Sequence, residues 1–352
     1  MDYISTTIEL VKKLTQVAAA EGKKTGFMIG NTTKVDKEGL YFTPMRETHS
    51  MVIGGVIVYA ESQAIEMSKI VDGKLDYVLV DAEKKVADRM SLSGDHANLE
   101  RAVRETVQKS KLWVYKGNDL SVEALDVFLS YLFKDSLRGL GGKNIAIIGA
   151  GNLGSKLAFK LVERAANVIL SRRDEVKLKI IVDAINVIKP KYNYSKVTFT
   201  TDNQAAANAA DILIGTTDGI PVIKKTMIQN LSDNAIIIDA GKGTLEVEAI
   251  RMAAKKNLPV YRLDITAALA GVIETQLMME DIVEIKMGRR KLNGETIVAG
   301  GLFGEKGDIV VDSIANPEVV FGIANGEGDF VRNLSEFQYR KLKGIKEIIS
   351  RQ

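Results

Sequence analysis

The chain has 352 residues, enough for about two domains of ordinary size, and its 46% hydrophobic and 26% charged residues suit a folded globular protein and exclude long disorder or a coiled coil. Forty-eight lysines and arginines against 45 acidic residues leave +3, too even a balance to mark a nucleic-acid binder, and the lack of cysteine excludes disulfides, a thiol nucleophile and thiolate metal sites. His49 and His96 are the sole imidazoles, so no metal site is expected; the longest apolar run, residues 52–60, is broken by Gly54 and Gly55, so the expectation is a soluble, cytoplasmic chain.

In chain order, the first third reads as an α/β unit, residues 1–138. Helical spacing of apolar residues predicts helices over 4–20, 61–70 and 99–108; apolar runs predict strands over 25–29, 52–58, 77–80 and 112–115. Between the first two strands, Pro44-Met45-Arg46-Glu47-Thr48-His49-Ser50 packs a cation, a carboxylate and an imidazole just before an apolar strand and reads as a substrate loop. Arg46 and Glu47 are its candidate substrate contacts, Arg46 as a clamp for a carboxylate or phosphate, and His49 is a candidate proton carrier. Asp95-His96 reads as the start of a helix, Trp113 as core, and Ser121 as the cap of a helix running to Leu137.

A glycine-rich break, Arg138 to Lys143, opens the second unit, residues 139–275. Short apolar strands at 145–148, 168–170, 197–200, 212–214, 235–238 and 260–263 alternate with helical stretches, the signature of an open, doubly wound parallel sheet. Gly149-Ala150-Gly151-Asn152-Leu153-Gly154 sits between the first of these strands and a helix. There the first glycine permits a tight turn, the second admits a pyrophosphate to backbone N–H groups, and the third lets helix pack on strand, all at the positive end of the helix dipole. This is a dinucleotide-binding signature of Rossmann type. At the end of the next strand, Ser171 stands where NAD enzymes place a ribose-binding carboxylate, and Arg172 and Arg173 offer guanidinium forks for an extra phosphate; NADP is favoured, with NAD left open by Asp174. Thr216-Thr217-Asp218 follows a later strand and should flank the cofactor; Lys242 and Asp264 follow the next two, the lysine as a second candidate acid–base group and the aspartate as a substrate contact.

The stretch from about Leu140 to Gly271 resembles the NADP-binding domain of the shikimate dehydrogenase-like and amino-acid dehydrogenase-like superfamily, which includes methylene-tetrahydropterin dehydrogenases. The resemblance implies a substrate-binding α/β domain first, a Rossmann domain second, and a terminal helix returning to the first. The first domain departs from the shikimate pattern: Ser91-Leu92-Ser93 is followed by Gly94 and Asp95, and no lysine loop accompanies it.

Residues 276–352 read as mainly β, with a strand over 282–287, a tight hairpin at Asn293-Gly294, strands over 296–299 and 309–311, and an amphipathic helix over 335–352. The reading is an α/β protein of two domains with a mainly β tail: an NADP-dependent oxidoreductase moving a hydride to or from a small polar hydroxy/oxo or amino/imino acid in the interdomain cleft. The alternatives are a methylene-tetrahydropterin-type dehydrogenase, insensitive to loss of His49 and Lys242, and a non-catalytic NADP-binding regulator. A homo-oligomer is expected, with no nucleic-acid or membrane partner.

Overall fold

The computed structural model describes residues 2–32, 40–86 and 97–351. They form two compact units, Met1–Ala270 and Gly271–Gln352. The first unit holds two sheets. Helix α1 (Tyr3–Glu21), capped by Asp2 accepting from the Ile4 N–H, leads into β1 (Lys24–Asn31); β2 (Tyr41–Glu47) and β3 (Met51–Val58) follow, then α2 (Glu61–Val71), β4 (Tyr77–Asp81), α3 (Leu99–Thr106) and β5 (Lys111–Tyr115). The strand order is β2-β3-β1-β4-β5, with β3, β1, β4 and β5 parallel. Met51-Val-Ile-Gly-Gly-Val-Ile-Val reads as an unbroken apolar run because a central parallel strand is covered on both faces. Its neighbours in the core include Leu14, Phe27, Ile29, Met67 and Val80.

The edge strand β2 replaces the loop that the sequence suggests. It pairs antiparallel with β3, Tyr41 opposite Ile57 and Glu47 opposite Val52, across a bulge between Thr43 and Arg46. A bulge and a proline, Pro44, are tolerated there because an edge strand leaves one side of its backbone unpaired. Asp95 and His96, with Ser91 and Ser93, lie outside the described residues; α3 starts later, with Asn98 accepting from the Arg101 N–H. Trp113 is 8% exposed and its ring lies 4.1 Å from that of Tyr77, as a core residue should.

Helix α4 (Gly117–Leu132) starts four residues before the expected cap, so Ser121 lies within it and donates to the Gly117 carbonyl. Past the glycine break come β6 (Asn144–Ile148), α5 (Asn152–Glu163), β7 (Asn167–Ser171), α6 (Glu175–Ile188), β8 (Val197–Thr200), α7 (Asn203–Ala207), β9 (Ile212–Gly215), α8 (Lys225–Gln229), β10 (Ile236–Asp239), α9 (Val247–Lys255) and β11 (Val260–Arg262). All six strands are parallel, in the order β11-β10-β9-β6-β7-β8. The order reverses beside β6, and the crevice at such a switch point is where open α/β sheets bind ligands.

Helix α10 (Thr266–Asp281) runs across the boundary between the units and ends in a π-helical turn, Ile282–Lys286. This turn stands in place of the strand expected over 282–287. The alternation of apolar and polar residues there is too short to oppose continuation of the preceding helix. The second unit then builds a four-stranded sheet, β12 (Gly288–Leu292), β13 (Glu295–Ala299), β14 (Ile309–Val311) and β15 (Val320–Ile323), in chain order. The hairpin turns at Asn293 and Gly294, both with positive φ, as the Asn-Gly pair predicts. The terminal helix α11 (Glu336–Ile349) opens with a capping box between Ser335 and Gln338. Its buried face, Ile345 and Ile349, packs in the core of this sheet with Ile297, Ile309 and Ile323.

Candidate active site

One cavity of about 1500 Å³ lies in the first unit. Its walls include Asn31 at the end of β1, Glu83–Lys85 past the end of β4 and Arg46 of the antiparallel edge strand β2 from the first sheet, and Gly149–Leu153, Arg172, Arg173, Thr216–Asp218, Lys242 and Asp264 from the second. The volume exceeds the 300–1,000 Å³ of an ordinary small-ligand site, leaving space for a dinucleotide together with a second molecule.

The glycine loop meets the steric demands of a dinucleotide cradle. A Cβ on Gly154 would sit 2.0 Å from the Gly149 carbonyl oxygen, so α5 approaches β6 as closely as glycine alone allows, and Gly154 itself lies behind the cavity wall. Gly149 adopts φ +116°, whereas nothing lies within 4 Å of a Cβ built on Gly151, which faces open space at the helix N-terminus. Helix α5 starts at Asn152 with no side chain capping it, which leaves its first N–H groups for an anion.

The residues that follow β7 divide their tasks. Ser171 is fully buried and donates its hydroxyl at 2.6 Å to Oδ1 of Asn203, a cavity residue the sequence reading missed. Arg172 donates at 2.8 Å to the Ala150 carbonyl, which fixes it against the glycine loop, and Arg173 is exposed at the cavity rim. Asp174 accepts from the Lys177 N–H as the cap of α6, so its carboxylate is spent on the helix. Thr216, 8% exposed, donates to the Gly149 carbonyl at 2.6 Å; its hydroxyl pins the glycine loop. Thr217 donates to the Ile220 carbonyl, and Asp218 is exposed at the rim.

Residues 144–243 match the family model described as NADP oxidoreductase, coenzyme F420-dependent. The middle of this chain is an oxidoreductase-type Rossmann domain for a nicotinamide cofactor. No curated protein matches the chain. Among solved structures, L-tryptophan dehydrogenase from Nostoc punctiforme is 17% identical, over 73% of this chain and 75% of that one, with a TM-score of 0.40. A dipicolinate synthase from Bacillus halodurans is 13% identical over 73% and 97%, at 0.36, and ornithine carbamoyltransferase from Pyrococcus furiosus 11% identical over 77% and 92%, at 0.38. At these scores they carry no argument about the chemistry of this chain.

Facing the Rossmann domain, Arg46 of β2 reaches to 3.9 Å from Asp264. The Asp264 carboxyl lies below its ordinary value, first because the Thr266 hydroxyl donates to it and then through the Thr266 N–H and the charges of Arg46 and Lys242. Lys242 lies in the turn after β10 in a left-handed backbone conformation, φ +57°. Glu47 and His49 are not among the cavity residues. Glu47, opposite Val52, and His49, in the turn before Met51, lie at the amino end of β3. Glu47 is exposed and lies 3.9 Å from Lys23; His49 is exposed in the turn. Residues 44–47 belong to β2 and do not form one loop with residues 48–50.

Besides Asn203, the sequence reading passes over Asn31, Glu83 and Lys85. Asn31 ends β1 and Glu83 and Lys85 lie within four residues of the end of β4, both apolar parallel strands of the first sheet, and the rule that ligands sit at the carboxyl ends of strands points to them as well. Asp81, 3% exposed, is pushed above the ordinary carboxyl value by burial, which outweighs the opposing charge of Lys85. Its carboxylate accepts from the Glu83 and Gly117 N–H groups and lies 3.3 Å from Lys85 Nζ, which in turn is 2.5 Å from Glu83. Among the described residues no group of three or more His, Asp or Glu side chains could hold a metal, and no helix is long and apolar enough to cross a membrane.

Proposed function

We propose that this chain is an NADP-dependent oxidoreductase whose substrate, a small polar hydroxy/oxo or amino/imino acid, binds beside the cofactor in the cavity of the first unit. The observation that carries the reading is that a single cavity joins the glycine loop and Arg172-Arg173 to a polar wall supplied by a different sheet. When bound, the nicotinamide accepts or delivers the hydride. The chain's part is to bind, orient and manage a proton. Gly149–Leu153 and the start of α5 hold the pyrophosphate, and Arg172 with Arg173 select the 2′-phosphate of NADP. Arg46, a half-buried guanidinium, clamps a substrate carboxylate. Lys242 is the group placed to hold or move the proton at its Nζ, and Asp264, kept ionised by Thr266 and beside Arg46, orients the pair.

Oxidation of NADPH against a panel of 2-oxo acids, with and without ammonia, tests this. Arg46→Ala should raise KM for the acid about tenfold with a smaller change in kcat, since it removes binding shared by ground and transition states. No turnover with any member of the panel, in a protein that binds NADPH, would leave the non-catalytic alternative in its place.

A further inference from the structure

Ser171 stands where NAD enzymes place the ribose-binding carboxylate, but it is fully buried, so its hydroxyl hydrogen has to find an acceptor inside the protein. It finds Asn203 Oδ1, at 2.6 Å. This bond decides which way the Asn203 amide faces. With the amide reversed, Nδ2 would donate to Ser171, and the serine's own hydrogen would be left buried with no acceptor, which is costly. Oδ1 therefore faces Ser171 and Nδ2 faces away. Nδ2 donates to no group among the described residues, yet it is not sealed off: Asn203 is half-buried in the cavity wall and its amide nitrogen keeps accessible surface.

The sheet sets the place of this donor. Ser171 ends β7 and pairs with Thr200 at the end of β8, three residues before Asn203. The amide thus stands at the carboxyl ends of two adjacent strands, in the same cavity wall as Arg172 and Arg173, which follow Ser171 directly. Helix α7 is tied down around it. Asp202 accepts from the Gln204 N–H at 2.8 Å, and the Gln204 side chain exchanges two hydrogen bonds with Thr226 of α8. A donor held this way needs little ordering when a ligand arrives.

The polarity of this corner is the reverse of an NAD site. There a carboxylate, which only accepts, takes the ribose hydroxyls; the oxygens of a 2′-phosphate are themselves acceptors and call for N–H donors. In this chain the acceptor atom of the asparagine is used by Ser171, and the atom offered to the cavity is the donor.

Resting on the NADP reading above, we infer that Asn203 is a specificity-determining residue for the cofactor, its Nδ2 donating to an oxygen of the 2′-phosphate. Ser171 is its positioning residue, turning the donor outward without touching the ligand.

The test is calorimetric titration of NADPH and NADH into the full chain and into Asn203→Asp, Asn203→Ala, Ser171→Ala and the Ser171→Ala/Asn203→Ala pair. Asn203→Asp keeps the acceptor for Ser171 and puts a second acceptor of equal size in place of the donor. It should weaken NADPH by at least about tenfold while NADH holds or tightens. Asn203→Ala should weaken NADPH about fivefold with NADH within about twofold. Ser171→Ala, which frees the amide to turn, should weaken NADPH about threefold and add nothing in the Asn203→Ala background. An NADPH/NADH ratio unchanged in Asn203→Asp overturns the role of Asn203, and so does an equal loss of both nucleotides in the two Asn203 variants, the mark of a purely structural side chain. A full Ser171→Ala effect in the Asn203→Ala background overturns the role of Ser171. A preference for NADPH that survives Asn203→Asp but is lost in Arg172→Ala/Arg173→Ala removes the asparagine alone and leaves the NADP reading in place. Wild type that binds neither nucleotide, or both alike, removes both.

Discussion

At the scale of single residues, the site is held by close approaches that tolerate no extra atom. The Cβ of a Gly154→Ala variant would meet the Gly149 carbonyl at 2.0 Å and the Thr216 hydroxyl at 2.8 Å, so α5 must move off the sheet and carry the cradle with it. NADPH affinity should fall by at least about tenfold, and calorimetry that finds it unchanged would show that the cradle is not where the phosphate sits. Lys242 gives a sharper contrast. Its φ of +57° costs about 1 kcal/mol for a residue with a Cβ. Lys242→Gly should therefore hold or raise stability by up to about 1 kcal/mol in urea while turnover falls; loss of both together would mean that the side chain is structural. The glycines of the Rossmann loop were legible in the sequence because their spacing follows from backbone sterics. Asn31 and Glu83 were not, since an isolated asparagine or glutamate carries no spacing, and only the structure brings them to the cavity wall.

At the scale of elements, two devices keep the cleft in shape. One is the turn after β10, where Asp239, 5% exposed, accepts from the Gly243 and Thr244 N–H groups and the Thr244 hydroxyl and lies 3.5 Å from Arg262. Burial alone would raise the Asp239 carboxyl, but these bonds outweigh it and hold the group below its ordinary 3.8. A folded-state value below the unfolded one gives stability that is present above about pH 4 and fades as acid protonates the native carboxylate. Asp239→Asn should cost about 1 to 2 kcal/mol at neutral pH, and the gap from wild type should narrow below about pH 4 in urea melts. A gap independent of pH would deny the carboxylate its charge-based role. The other device is the α4–α5 contact, where Asp119, Glu123 and Asp126 pair with Lys156, Lys160 and Arg164 in step along the two helices. Only the last is sheltered: Arg164 forks onto Asp126 at 2.5 and 2.7 Å, and Asp126 is 5% exposed. Asp126→Ala should cost about 2 kcal/mol, Asp119→Ala within about 0.5 kcal/mol of nothing. The helices and parallel strands announced themselves by apolar period. Strand β2 did not, because an edge strand with a proline and a bulge has half-exposed residues and no alternation to read.

At the scale of the molecule, the first unit brings a mixed sheet and a parallel sheet to one cavity, and the second, Gly271–Gln352, builds its own core around a small sheet and α11. The change from apolar parallel runs to a hairpin-rich tail accompanies the change of unit, and α10 crosses the boundary without a break in composition. We propose that the Rossmann cleft of the first unit takes NADP by way of Arg172 and Arg173. The direct measurement is calorimetric titration of NADPH and of NADH into wild type and into the Arg172→Ala/Arg173→Ala double variant. NADPH should bind at least about tenfold more tightly than NADH, with the double substitution weakening NADPH by about 1 to 3 kcal/mol per lost charged contact and leaving NADH nearly unmoved. Equal affinity for both nucleotides in both proteins would contradict the choice of NADP, and no binding of either would contradict the site itself.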